Sequence, residues 1–72
     1  MSKLPIISAK IAIKFFISIG YQIVRQKGSH IRLWHPTKKS ITIPNHQTLG
    51  RGLLKKILRD AEISVRELEE KI

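Results

Sequence analysis

The chain has 72 residues, a formal net charge of +9 at pH 7 and no cysteine. This length supports one small domain, residues 1–72, with a core too small for a deep enclosed pocket. The absence of cysteine excludes a disulfide framework and a cysteine zinc site and is compatible with a reducing compartment, so we expect a cytoplasmic protein.

The first predicted element is a helix from about Ala9 to Ile19. Ser8 is a suitable N-cap, and Gly20 would end the helix. Apolar side chains recur near the helical period at Ile11, Phe15, Phe16 and Ile19. The run IAIKFFISIG is interrupted by Lys14 and is shorter than the about 20 residues that cross a bilayer. We therefore expect no membrane span and no signal peptide.

A β-hairpin is predicted next. The segment YQIVRQ is rich in β-formers, KG forms a turn, and SHIRLWH alternates strictly between apolar and polar residues. Because strand side chains alternate faces, Ile31 and Leu33 should face the core, while His30, Arg32 and Trp34 face the other way.

The rest of the chain predicts one more strand and two helices. SITI repeats the alternation with Ile41 and Ile43 inward, and Pro44 ends the strand. A second helix has an apolar stripe of Leu53, Leu54, Ile57, Leu58 and Ala61. Ser64 and Glu67 form a capping box for a short third helix. That helix shows Val65, Leu68 and Ile72 on one side.

These elements predict an α+β fold of order α-β-β-β-α, with an extra short C-terminal helix. A three-stranded antiparallel sheet with both long helices on one face leaves the opposite face in water. We expect His30, Arg32 and Trp34 to lie on that open face.

The charges are distributed unevenly along the chain. Residues 1–59 contain twelve Lys and Arg and no Asp or Glu, and all five acidic residues lie from Asp60 onward. A polycationic surface attracts phosphate and binds nucleic acid in a salt-sensitive way. Two-metal nucleases need clustered carboxylates, so this sequence disfavours a metal-dependent phosphodiesterase. We expect no metal site and no small-molecule cofactor.

RNA cleavage needs no metal, because RNA supplies its own nucleophile. A neutral His30 can take the proton of the 2′-hydroxyl, while Arg32 or Lys27 stabilises charge on the phosphate. The expected products are a 2′,3′-cyclic phosphate and a 5′-hydroxyl. His35 is a second candidate in this reaction, but strand alternation favours a structural role, and His46 is expected to be a solvated loop residue.

Four further residues are candidate RNA contacts. Trp34 on the open face could stack a base or receive a protein partner, or it could instead pack under a loop. Arg51, Lys55 and Lys56 surround the start of the second helix, where free N–H groups and the helix dipole favour an anion. A solvated polar face is the alternative for these three cations.

The segments GYQIVRQKGSHIRLWHP, ITIPNH and LGRGLLKKILRDAEIS together resemble the HicA family of toxins. These are small ribosome-independent mRNA interferases of type II toxin–antitoxin systems. The most specific element is GSH, and the resemblance implies that its histidine, His30, is catalytic, beside Ser29 in the RNA-binding surface. It also implies a fold like a double-stranded RNA-binding domain, mRNA as substrate and a HicB-type antitoxin as partner. Where such proteins often have alanine and glycine at the end of the second helix, this chain has Ala61 and Glu62.

The competing interpretation is an RNA-binding module without catalysis, which would hold structured RNA through phosphate and 2′-hydroxyl contacts. In that case His30 would act as a hydrogen-bond donor. A DNA-binding accessory protein is a third interpretation, but the sequence shows no recognisable reading helix.

Overall fold

The computed structural model describes residues 4–72, so residues 1–3 of the predicted domain lie outside the described part. The elements are α1 (Ala9–Ser18), β1 (Gln22–Lys27), β2 (His30–Trp34), β3 (Ile41–Pro44), α2 (Arg51–Asp60) and α3 (Val65–Lys71). This order confirms the predicted α+β class and the extra C-terminal helix. Over residues 4–72, no helix has both the length and the apolar character that a membrane span requires.

The predicted helix boundaries follow from local capping. The Ser8 hydroxyl accepts a hydrogen bond from the Ile11 N–H at 3.2 Å and starts α1. After α1, Gly20 adopts a φ of 110°, a backbone angle that residues with a Cβ rarely adopt. Ser64 and Glu67 form the predicted capping box at the start of α3.

The three strands form one antiparallel sheet in the order β1-β2-β3. A two-residue turn, Gly28–Ser29, joins β1 to β2, and Gly28 has the positive φ of 59° that the first position of a type II′ turn requires. The register pairs Lys27 with His30 and Arg25 with Arg32. Between Ile23 and Arg25 the register shifts by a β-bulge.

The core lies on one side of this sheet. The inward residues of β2 and β3 are buried together with residues of all three helices. The buried strand residues are Ile31, Leu33, Ile41 and Ile43, and the largest buried helix residues include Phe16, Leu54, Leu58 and Leu68. His30, Arg32 and Trp34 are exposed, so the predicted division into a covered and an open face is confirmed.

Three residues that were predicted on apolar helix faces are exposed. Ile11 is 44% exposed because the buried face of α1 is formed by Ala9, Ala12, Phe15 and Phe16, whose two alanines let the helix approach the core closely. Leu53 precedes the buried stripe of α2 by one residue, which rotates it about 100° away from Leu54. Ile72 follows the last turn of α3 and is also exposed. Ile11 and Ile72 both line a surface groove on the helical side.

Candidate functional site

The open face of the sheet carries the residues that were predicted from the sequence to take part in catalysis or RNA binding. His30, Arg32 and Trp34 alternate along β2 with the buried residues Ile31 and Leu33. This alternation fixes their direction, since an inward turn of any of them would place a polar or bulky group in the core. Trp34 is 44% exposed, so the alternative in which it packs under a loop is wrong.

Strand β1 adds two cations to this face. Lys27 is the cross-strand partner of His30, and Arg25 is the partner of Arg32. On the other side of β2, the Nη1 of Arg32 donates a hydrogen bond to Oγ1 of Thr42 at 2.9 Å. A surface cavity of about 340 Å³ is lined by Arg25, Lys27, His30, Arg32 and Thr42, and we call these five residues the sheet-face site.

Arg25 and Thr42 were missed from the sequence. Arg25 could have been found by counting back two residues from Lys27, which lies opposite His30 across the two-residue turn. Thr42 lies between the inward residues Ile41 and Ile43 and therefore faces the open side. Both follow from register, which the sequence-based interpretation did not carry from one strand to the next.

The GSH segment has a structural role beside its candidate chemical one. Gly28 and Ser29 make the turn that places His30 at the first position of β2. The carbonyl of Ser29 accepts a hydrogen bond from the backbone N–H of Asn45, which ties the hairpin to the segment after β3. His30 is thus held at the end of the sheet by pairs on both sides, Lys27 on β1 and Pro44 on β3.

The electrostatic character of the sheet-face site is strongly positive. Three of its five lining residues are cations, and none is a carboxylate. The ion pairs that the structure shows lie on the helices, between Lys56 and Asp60 at 3.3 Å and between Arg66 and Glu70 at 4.0 Å. Within the described part of the chain, no group of three or more His, Cys, Asp or Glu side chains is placed to hold a metal ion. The site therefore suits an anion.

The second predicted cation group is not part of this site. Lys55 and Lys56 line a separate cavity on α2 with Gly52 and Arg59. The Nε of Arg51 donates a hydrogen bond to the carbonyl of Leu4 at 2.9 Å, so this side chain anchors the segment before α1. Because α2 packs on the covered face of the sheet, the structure does not bring these three cations together with His30.

The other two histidines lie apart from the site. His35 is partly buried, and its Nδ1 accepts a hydrogen bond from the Thr37 N–H at 3.0 Å while its Nε2 lies 3.1 Å from the carbonyl oxygen of Ile19. Both nitrogens are thus engaged by the backbone, which agrees with a structural role. His46 is exposed, and its backbone carbonyl accepts a hydrogen bond from the Ala9 N–H.

The chain is similar to a known protein family. A family model described as the HicA toxin of bacterial toxin-antitoxin systems matches residues 9–63 of the chain. This range contains α1, the whole sheet, α2 and all five residues of the sheet-face site, whereas α3 lies beyond it. No curated protein matches the chain.

Proposed function

The chain belongs to the HicA family of toxins from bacterial toxin–antitoxin systems, and on this premise we propose that it is a metal-independent endoribonuclease, an mRNA interferase, with His30 as general base. The observation that carries the proposal is the position of His30. It is exposed on an open sheet face, in one cavity with Arg25, Lys27 and Arg32. A proton acceptor beside an unneutralised phosphate-binding group is what 2′-hydroxyl attack requires.

The proposed reaction proceeds by transfer within the RNA itself. His30 takes the proton of the 2′-hydroxyl, the 2′-oxygen bonds to the adjacent phosphorus, and the bond from phosphorus to the 5′-oxygen breaks. The leaving 5′-oxygen takes a proton from solvent, which reaches this open face, and His30 later releases its proton to water. Either Lys27, the cross-strand partner of His30, or Arg32 stabilises the negative charge that builds up on the phosphate oxygens. A positioned general base contributes roughly 10²- to 10⁴-fold to such a step.

Residues outside the sheet-face site would also contribute to RNA binding. Ser29 and Trp34 lie next to the sheet-face site on β2 and its turn, where they can contact nucleotides that flank the cleaved one. Lys55 and Lys56 are exposed on α2 and add long-range attraction for the polyanion. Arg51 contributes charge to the same region, although its side chain is held by the Leu4 carbonyl.

A HicB-type antitoxin is the proposed protein partner. Within residues 4–72, no segment covers the sheet-face site, so another protein can silence it by covering the open face. The surface to be covered is basic, and Trp34 offers an exposed apolar side chain at its edge. A complementary partner would therefore be acidic around an apolar centre.

The test is cleavage of single-stranded RNA by purified protein in the presence of a chelator of divalent metals. We expect products that end in 2′,3′-cyclic phosphate and 5′-hydroxyl, and a loss of at least about 100-fold in rate for His30→Ala. His46→Ala is the matched control, because His46 is an exposed histidine outside the site. A strict requirement for magnesium would contradict the mechanism.

Binding distinguishes this proposal from the RNA-binding module. One neutral imidazole adds little to an affinity that a dozen cations dominate, so His30→Ala should bind RNA nearly as well as the unchanged protein. If His30→Ala loses binding and wild-type protein never cleaves RNA, the module interpretation is the better one.

A further inference from the structure

We propose that the substrate is a single strand of RNA that lies along β2, with one phosphate held between Arg25 and Arg32 and a base stacked on Trp34. This inference rests on the proposed function for the identity of the ligand as RNA. It adds the strandedness of the substrate, the direction in which it crosses the sheet and a role for Arg25.

The first observation is the pair Arg25 and Arg32. These side chains are direct cross-strand partners on the open face, and like charges in this position destabilise a sheet. No carboxylate lines the cavity that they share with His30. Because Arg32 is also oriented by its hydrogen bond to Thr42, its planar group is partly preorganised. A phosphate between two guanidinium groups removes their repulsion and accepts their paired N–H donors.

The second observation is the even spacing of the outward row on β2. His30, Arg32 and Trp34 are two residues apart, and two residues of a strand span about 6.8 Å. The row therefore presents a proton acceptor, an anion clamp and an aromatic ring in a line. A strand of RNA that runs along this line can place the cleaved phosphate at His30, the next phosphate at Arg32 and a flanking base on Trp34.

The aromatic ring decides between single and double strands. Bases of a duplex are stacked on each other and paired, so their flat faces are not available to a protein side chain. An exposed indole on a sheet face is a stacking platform that only an unpaired base can use. The cross-strand partner of Trp34 on β1 is Gln22, a neutral residue. The order α-β-β-β-α thus carries a face suited to single strands.

The chain provides its own probe for this contact, because Trp34 is its only tryptophan. We would titrate the His30→Ala protein with a short single-stranded oligoribonucleotide, with the same sequence closed into a duplex, and with inorganic phosphate. The inference expects quenching of the indole fluorescence by the single strand and little quenching by the duplex or by phosphate. Quenching by the duplex at equal or lower concentration would overturn it.

Substitutions test the two contacts separately. Trp34→Ala should weaken single-strand binding by about 5- to 150-fold, the range of one stacked base, and Trp34→Phe should restore part of this affinity.

The arginine pair is tested by the salt dependence of binding. If Arg25 and Arg32 hold one phosphate, the double variant Arg25→Gln and Arg32→Gln should reduce the slope of log K against log salt by about 0.7. Two separate phosphates would give about 1.4, which would overturn the shared clamp. Arg66→Gln is the matched control, since its side chain is 86% exposed on α3.

The results also separate this inference from the proposed function. Cleavage that depends on His30 but is unaffected by Trp34→Ala, without quenching, would refute the path along β2 and leave the endoribonuclease in place. If single-stranded RNA quenches the indole and the double arginine variant shows the salt slope expected for one shared phosphate, but no cleavage occurs, the endoribonuclease proposal is refuted. The row along β2 would then remain as a binding surface for single-stranded RNA.

Discussion

The imidazole of His35 lies directly against the α-carbon of Gly20: a Cβ built on Gly20 would lie 2.8 Å from Nε2 of His35. The same ring packs at 4.9 Å from the ring of Tyr21. Since His35 immediately follows β2 and Gly20 follows the C-cap of α1, this contact fastens the first helix to the far end of the strand that carries His30.

Replacement of Gly20 should therefore be costly. Gly20→Ala introduces a Cβ into the His35 ring and forces a side chain into a φ of 110°, so we expect a loss of about 2 to 4 kcal/mol in the free energy of unfolding. Gly52→Ala is the contrast. Its Cβ meets nothing within 4 Å, and alanine in helix α2 should stabilise by about 0.5 to 1 kcal/mol. Urea unfolding of both variants measures these changes. A free energy of unfolding for Gly20→Ala equal to that of the wild-type protein would contradict the prediction.

Glu62 occupies a position that suits glycine. It follows the C-cap of α2 with a φ of 57°, and the N–H groups of Glu62 and Ile63 donate back to the carbonyls of Arg59 and Leu58, as in a Schellman motif. Glu62→Gly should stabilise the protein by about 0.5 to 1 kcal/mol, because glycine adopts this conformation without a steric penalty. Glu62→Ala is the control, since it removes the carboxylate but keeps the Cβ. Equal stability of the two variants would refute the backbone explanation.

The stability of the fold at alkaline pH depends on Tyr21 and on its proximity to Glu62. Burial raises the pKa of the Tyr21 hydroxyl, and the negative charge of Glu62 raises it further. The contribution of Tyr21 is therefore fully present below about pH 10, the ordinary tyrosine pKa, and is lost as the pH rises through the higher pKa of the folded state. Tyr21 is the only tyrosine, so its ionisation can be followed by ultraviolet absorbance.

Two variants test this linkage. The free energy of unfolding of Tyr21→Phe should fall less steeply as the pH rises above about 10, because this variant has no hydroxyl to ionise. At neutral pH it should be lower by about 1 kcal/mol, because the Tyr21 hydroxyl donates a 2.8 Å hydrogen bond to the carbonyl of Lys39. Glu62→Ala should lower the titration midpoint of Tyr21 towards its ordinary value. A midpoint at or below that of free tyrosine in the unchanged protein would contradict the burial argument.

The antitoxin prediction concerns the open face. If the antitoxin covers His30, Arg32 and Trp34, Arg32→Glu should weaken the complex by at least about tenfold, and association should slow as salt rises. Arg66→Glu is the control on α3. Hydrogen exchange of the complex reports the location: protection of the side that carries α3, with His30 still open to solvent, would show that inhibition works at a distance.

Local sequence determined most of the architecture. Ser8, Gly20 and the pair Ser64 and Glu67 set helix ends through contacts within a few residues, which is why they could be predicted. The alternation of SHIRLWH placed His30 on the open face for the same reason, since the side-chain period of a strand is a property of the strand alone.

Only the tertiary structure decided which side chains meet. The pairing of Arg25 with Arg32, and the hydrogen bond from Arg32 to Thr42, depend on register between strands and on the bulge after Ile23. Likewise, Arg51 binds the Leu4 carbonyl, 47 residues away in the chain, instead of standing free at the start of α2. Periodicity gives each residue a face but not a neighbour, because neighbours across a sheet or between layers are fixed by packing of the whole core.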